Sequence, residues 1–292
     1  MGTSTRFARF VGNISLKPSD HDDAKRKYDG VAGTLHRNYY STHYDGSSKL
    51  LIGSYEKDTG VRPPRDVDIL FLMPYAEYGR YDSYLGNGQS QLLQDIKKII
   101  QVTYPTTDKI RGDGQVVVVP FKNGHTVELL PAWQSRSGKY IIPNTHDGGS
   151  WRIVDHPAEI ENVSKSDEAT NGNTRALIKM IKIWQAECNV PIKSLAIELR
   201  AVNFLSGWSQ AKQDTLYYDW MVRDYLGELI KKTNATCTIP GITEKCNYGD
   251  AWLSKAQTAY QRAVKACDYE AQGKEVDATI EWRKIFGSLY EY

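Results

Sequence analysis

Cysteine is scarce in this chain, with four in 292 residues, at 188, 237, 246 and 267. None forms a CxxC pair or joins a histidine at finger-type spacing, which excludes a disulfide-stapled miniprotein and a zinc-finger module. Reduced thiols and a cytoplasmic location are the expectation. Neither sign of charge dominates: 37 Lys and Arg against 35 Asp and Glu leave a formal charge of +2. No global field therefore draws the chain to nucleic acid or anionic lipid, and any basic site must be local. Long apolar runs are missing too, since no stretch approaches the roughly 18 residues of a membrane span and the first twenty residues carry no apolar signal core. The expectation is a protein neither exported nor inserted. Internal repeats and low-complexity tracts are also lacking. What remains is length enough for two lobes with separate cores, an ordinary 40% hydrophobic content, and a surplus of 19 Tyr and 7 Trp.

After an N-terminal arm, Ala24, Tyr28, Val31, Leu35 and Tyr39 recur at helical spacing, which predicts an amphipathic helix over 20–40 behind a Ser19/Asp20 cap. Residues 50–52 and 66–73 read as strands, and 90–104 as a helix with Leu92, Leu93, Ile96, Ile99 and Ile100 on one side. Next, QVVVVPF and HTVELLP flank Lys122-Asn123-Gly124, and an Asn-Gly between two β-rich runs predicts a hairpin. Residues 138–173 are rich in Gly, Asn, Asp, Ser and Pro and are expected to wrap irregularly between lobes. Beyond them, 174–188, 191–206, 214–232 and 250–273 read as helices. The fold class is therefore α+β, with a mixed-sheet lobe over 1–160 that includes the N-terminal helix, and a helical lobe over 161–292.

The run DVDILFL, Asp66 to Leu72, holds two aspartates at a spacing of two. Successive strand residues face opposite ways, so Asp66 and Asp68 share one face while Val67, Ile69 and Phe71 share the other. A solvated strand face is the bland explanation of such a pair. Glu128, between Val127 and Leu129, projects likewise from the hairpin's second strand. If that strand lies beside Asp66–Leu72, three carboxylates converge and repel unless a cation neutralises them. Hard divalent ions with oxygen ligands, magnesium above all, suit such a face. Upstream, Gly53-Ser54 follows a short strand, where glycine permits close approach and the hydroxyl can meet phosphate oxygens.

The order GS, a gap, DxD in a strand and a third acid in a later strand resembles the polymerase-β-like nucleotidyltransferase superfamily. GSYEKDTGVRPPRDVDILF, VELLPAW, NTRALIKMIKIWQ followed by IKSLAIEL, and WRKIFG narrow the likeness. From about residue 10 to the end, the chain is similar to bacterial CD-NTases, relatives of cyclic GMP-AMP synthase and oligoadenylate synthase. One departure is Glu128, where the wider superfamily often has aspartate.

The resemblance implies a synthase of cyclic di- or trinucleotides from nucleoside triphosphates, with two Mg²⁺ ions, or Mn²⁺ in their place, held by Asp66, Asp68 and Glu128. Gly53, Ser54, Lys182 and Ser194 would hold the donor triphosphate, with Lys179 a further candidate. The product would be a second messenger in defence against phage, read by a separate effector protein, with regulation from a partner outside this chain. No Cys-rich insertion of the animal DNA sensors is present. Pro191 is expected in the first turn of a helix, placing Ser194 near its N-terminus. Tyr55 and Tyr75 are candidate platforms for a base, and His125, just after the turn, is expected at the surface. Two alternatives remain: a nucleotidyltransferase acting on a small molecule or protein, and a catalytically silent nucleotide-binding homologue.

Overall fold

The computed structural model describes residues 2–107, 109–122 and 124–291, which leaves Asn123 of the expected turn outside the described residues. By contacts, the chain divides into two units. One comprises residues 16–58 and 63–160, the other residues 1–15, 59–62 and 161–292.

In the chain's order, the described elements begin with helices α1 (Thr3–Ile14) and α2 (Pro18–Tyr40), strand β1 (Lys49–Ile52) and the short helix α3 (Gly53–Glu56). Strand β2 (Asp66–Leu72), helices α4 (Tyr75–Asp82) and α5 (Gly88–Thr103), and strands β3 (Arg111–Asp113), β4 (Val116–Pro120), β5 (Thr126–Gln134), β6 (Tyr140–Asn144) and β7 (Ser150–Val154) follow. The seven strands form one mixed sheet, ordered β1-β2-β5-β4-β3, with β6 paired to the far end of β5 and β7 to β6. Only β2 and β5 run parallel; every other pair is antiparallel.

Alternation along the strands decides which face is dry. Val67, Ile69, Phe71, Val117, Val119, Val127 and Leu129 are fully buried, in a cluster with Ala24, Val31 and Leu35 of α2 and Leu92, Ile96 and Ile100 of α5. Each such side chain contributes roughly 1.5–3 kcal/mol by burial, which clamps both helices to this face. The opposite face carries the acids, beside an apolar cluster of Ile52, Leu70, Leu130, Ala132, Tyr140 and Ile142.

The second unit is helical, built on α1 with α6 (His156–Ala169, from Glu161 onward), α7 (Asn173–Glu187), α8 (Ser194–Leu205), α9 (Tyr218–Ile230), α10 (Leu253–Ala271) and α11 (Glu275–Phe286), and a small hairpin of β8 (Thr236–Thr238) and β9 (Lys245–Asn247). Eleven of the fifteen residues of α7 are buried, so this helix is central and not amphipathic at the surface. Phe7, Phe10 and Ile14 of α1 belong to the same core, which is why residues 1–15 group with the helical unit. No helix among the described residues is long and apolar enough to cross a membrane.

Several expectations are corrected. The N-terminal arm is the helix α1, amphipathic through Phe7, Phe10 and Ile14. The cap of α2 is Lys17, whose N–H donates to Asp20 Oδ2 at 2.8 Å, with Pro18 opening the helix. Residues 138–173 hold β6, β7 and α6, whose glycines and polar residues fall in the turns and on weakly amphipathic faces. Helix α8 starts at Ser194, so Pro191 precedes it.

Candidate active site

The acids meet through strand register. Asp68 of β2 stands directly opposite Glu128 of β5, and Asp66 opposite Thr126. On the other side, Ile52, the last residue of β1, is the partner of Asp68. Directly opposed residues share a face, so Asp66, Asp68 and Glu128 lie on one surface, and β1 delivers Gly53-Ser54 to its edge. Parallel pairing is what achieves this, because it keeps the two strand starts level. Beyond Glu128 the same row runs through Val118 to Arg111.

Glu128 is half-buried, and burial, followed by the repulsion of Asp68 and Asp66, pushes its carboxyl up to about 7. Asp113 adds to that rise and Arg111 opposes it. These two charges, joined to each other at 3.6 Å, were not legible as neighbours of the acids, since nothing in RGDG signals a strand two places away. A carboxyl raised by other carboxylates is a group short of positive charge, the condition a divalent cation relieves.

Gly53 sits at φ +66°, where L side chains are strained, and a Cβ there would overlap the carboxylate of Asp68. Glycine is thus required twice, by the backbone and by the acid it touches. Tyr55, two residues on, is buried, and its hydroxyl bonds Nε2 of His125. His125 Nδ1 donates to Asp23 Oδ2 at 2.9 Å, since a carboxylate only accepts. His125 is only 2% exposed, against the expectation of a surface histidine. This chain of bonds ties α3, and with it Gly53-Ser54, to α2 and β5. Tyr55 is consequently not open to a base, whereas Tyr75 is 69% exposed.

In the helical unit the expected phosphate contacts differ in access. Ser194 is exposed as the first residue of α8, where free N–H groups favour anions, and its hydroxyl donates to Gln185 Oε1 at 3.4 Å. Lys182 is buried instead, with Nζ 2.7 Å from Glu198 Oε1, 3.1 Å from Thr59 Oγ1 and 3.3 Å from the Thr59 carbonyl. Lys179 is also buried, 3.5 Å from Ser15 Oγ. The spacing of these lysines along the helix does not show this, because α7 is covered on nearly every side. Arg175 pairs with Asp167 at 2.6 Å.

Comparison with known proteins adds to this geometry. Residues 1–167 match the family described as Second Messenger Oligonucleotide or Dinucleotide Synthetase domain. A probable cyclic nucleotide synthase of Bacillus cereus (strain VD146) is 23% identical over 331 residues, covering 98% of this chain and 97% of the relative. A cyclic AMP-AMP-AMP synthase of Acinetobacter is 23% identical over 197 residues, or 64% of this chain and 53% of that protein. Among solved structures, Escherichia coli MS115-1 CdnC with ATP shares the fold at a TM-score of 0.76 and 18% identity, covering 99% of both chains. The apo form of Vibrio cholerae DncV gives 0.73 at 12% identity, over 96% of this chain and 93% of that one. With a family match over more than half of its length and the GS and acid motifs inside that span, the chain belongs to the Second Messenger Oligonucleotide or Dinucleotide Synthetases and is a bacterial CD-NTase, a nucleotidyltransferase of the cyclic-oligonucleotide-forming kind.

Proposed function

We propose that this chain joins nucleoside triphosphates into a cyclic di- or trinucleotide, releasing pyrophosphate at each bond. The observation that carries the reading is the level pairing of Asp68 with Glu128, beside a glycine whose missing side chain makes room for the Asp68 carboxylate. Asp66, Asp68 and Glu128 would hold two Mg²⁺, with Mn²⁺ able to substitute, and these ions would supply activation of the attacking hydroxyl and stabilisation of the leaving pyrophosphate. One aspartate of the pair takes the proton of that hydroxyl. Gly53 and Ser54 receive phosphate oxygens at the end of β1, and Ser194 offers an exposed hydroxyl and N–H at the start of α8. For Lys182 to meet a phosphate, its ammonium must exchange Thr59 and Glu198 for phosphate oxygens, one anion for another. Lys179 would likewise leave Ser15. The product acts as a second messenger in defence against phage, read by a separate effector, as the resemblance implies.

The test incubates the protein with Mg²⁺ or Mn²⁺ and labelled ATP, GTP, CTP and UTP, singly and mixed, beside the Asp66→Asn, Asp68→Asn double variant. A phosphatase-resistant product, identified by mass and absent with the variant, is the expected result and names the bases. Label carried on the protein or a small acceptor would move the reading to the first alternative. Nucleotide binding without turnover, with and without candidate activating partners, would move it to the silent homologue.

A further inference from the structure

The helical unit holds a second cluster of metal-ligand side chains, remote in sequence from the acids of the sheet. Asp219 lies in the first turn of α9, and Cys267 and Glu270 lie three residues apart on α10, hence on one face of that helix. One ligand atom from each falls within 4.8 Å of the other two, the only such trio among the described residues. Asp219 and Cys267 are 6% and 8% exposed. Asp219 Oδ1 and Glu270 Oε2 are buried without a donor at hydrogen-bonding geometry; the two carboxyls lie against each other, and Glu270 is held besides by Thr3 and by Trp282 Nε1, which donates to its Oε1 at 2.8 Å. Two buried carboxyl oxygens side by side without donors are costly as anions, so something positive must stand between them.

That something is either a shared proton or a cation. Cys267 decides for the cation, since a thiol adds nothing to a proton shared by carboxyls but completes a mixed sulfur and oxygen donor set. We infer that Asp219, Cys267 and Glu270 bind a zinc ion that fastens α9 to α10. Magnesium and calcium take oxygen ligands, whereas zinc accepts thiolate and carboxylate together. Zinc bonds of about 2.0–2.3 Å put neighbouring tetrahedral ligands roughly 3.3–3.7 Å apart, so small rotamer adjustments close the trio on an ion. Burial above all raises Glu270 to about 8 and pushes the Asp219 carboxyl and the Cys267 thiol up. Zinc binds the thiolate form of cysteine, so loading the site releases the thiol proton. The cysteine spacing could not reveal this site, because two of its ligands are acids and Asp219 lies 48 residues before Cys267 in sequence.

The experiment uses the full chain in the Asp66→Asn, Asp68→Asn background, which removes the other acidic face. The protein is stripped with chelator, then titrated with Co²⁺ and Zn²⁺ at pH 8. One equivalent of zinc should survive gel filtration and raise the melting temperature by several degrees. Cobalt should give a thiolate charge-transfer band that disappears in Cys267→Ser and persists in Cys246→Ser, and Glu270→Gln should weaken zinc binding by about tenfold or more. A protein folded by circular dichroism that retains no zinc and shows no band overturns the inference in favour of a shared proton. A band unchanged in Cys267→Ser overturns it as well.

Discussion

Replacing Gly53 by alanine isolates the contact on which the active-site reading rests. At φ +66° an alanine costs about 1–2 kcal/mol in backbone strain. The added methyl would also overlap the Asp68 carboxylate, with Asp68 Cγ at 2.7 Å and Cβ at 3.0 Å from it. Helix α3 is held by the bond from Tyr55 to His125, so the flexible acid is the group that yields, by an ångström or so. A shift of that size at a reacting centre costs on the order of 10²-fold in rate. The backbone term alone lowers the melting temperature by roughly 2–8 °C at about 2–4 °C per kcal/mol. Gly46 is the control: its φ is +87°, but a Cβ there meets nothing within 4 Å. Gly46→Ala should lose similar stability and keep its rate. Initial rates of pyrophosphate release, with melting curves, read both effects. A Gly53→Ala protein with the wild-type rate, or a Gly46→Ala protein that loses as much activity, would refute the reasoning.

Other perturbations follow from the same structure. Lys182→Ala breaks the buried 2.7 Å ion pair with Glu198 and should cost about 3–5 kcal/mol in urea unfolding, more than Lys182→Met paired with Glu198→Gln; equal losses would show that the ion pair is not the cause. Glu159 is largely shielded from water, which raises its pKa, but His156 at 3.3 Å and Lys57 at 3.1 Å together hold it below the ordinary 4.5. Its ionised form therefore stabilises the fold above that pH, and the advantage over Glu159→Gln should shrink as pH falls below about 4.5 through the folded value; an advantage independent of pH would contradict this.

Much of the sheet unit is written in local periodicity. The alternation in DVDILFL and TVELLPA sets which side chains face the helices, and the stripes of α2 and α5 answer with matching apolar rows. The Ser19/Asp20 cap and the irregular course expected of residues 138–173 do not match the structure, because caps and polar turns look alike until a chain closes on them. Helix α1 went unseen because its apolar face is short and has meaning only against the core it joins.

From the sequence alone came the alternation that puts Asp66 and Asp68 on one face, the Gly-Ser after a strand, the hairpin that carries Glu128 and the helical second half. Local spacing suffices for these, because strand and helix periods act over a few residues. Tertiary structure alone decided that β2 and β5 pair in parallel with Asp68 level with Glu128, that His125 and Lys182 are buried with partners, and that Asp219 meets Cys267 and Glu270. Those facts depend on which distant segments pack together and in what register, and that is fixed by the burial of whole faces, not by the spacing of residues along any one of them.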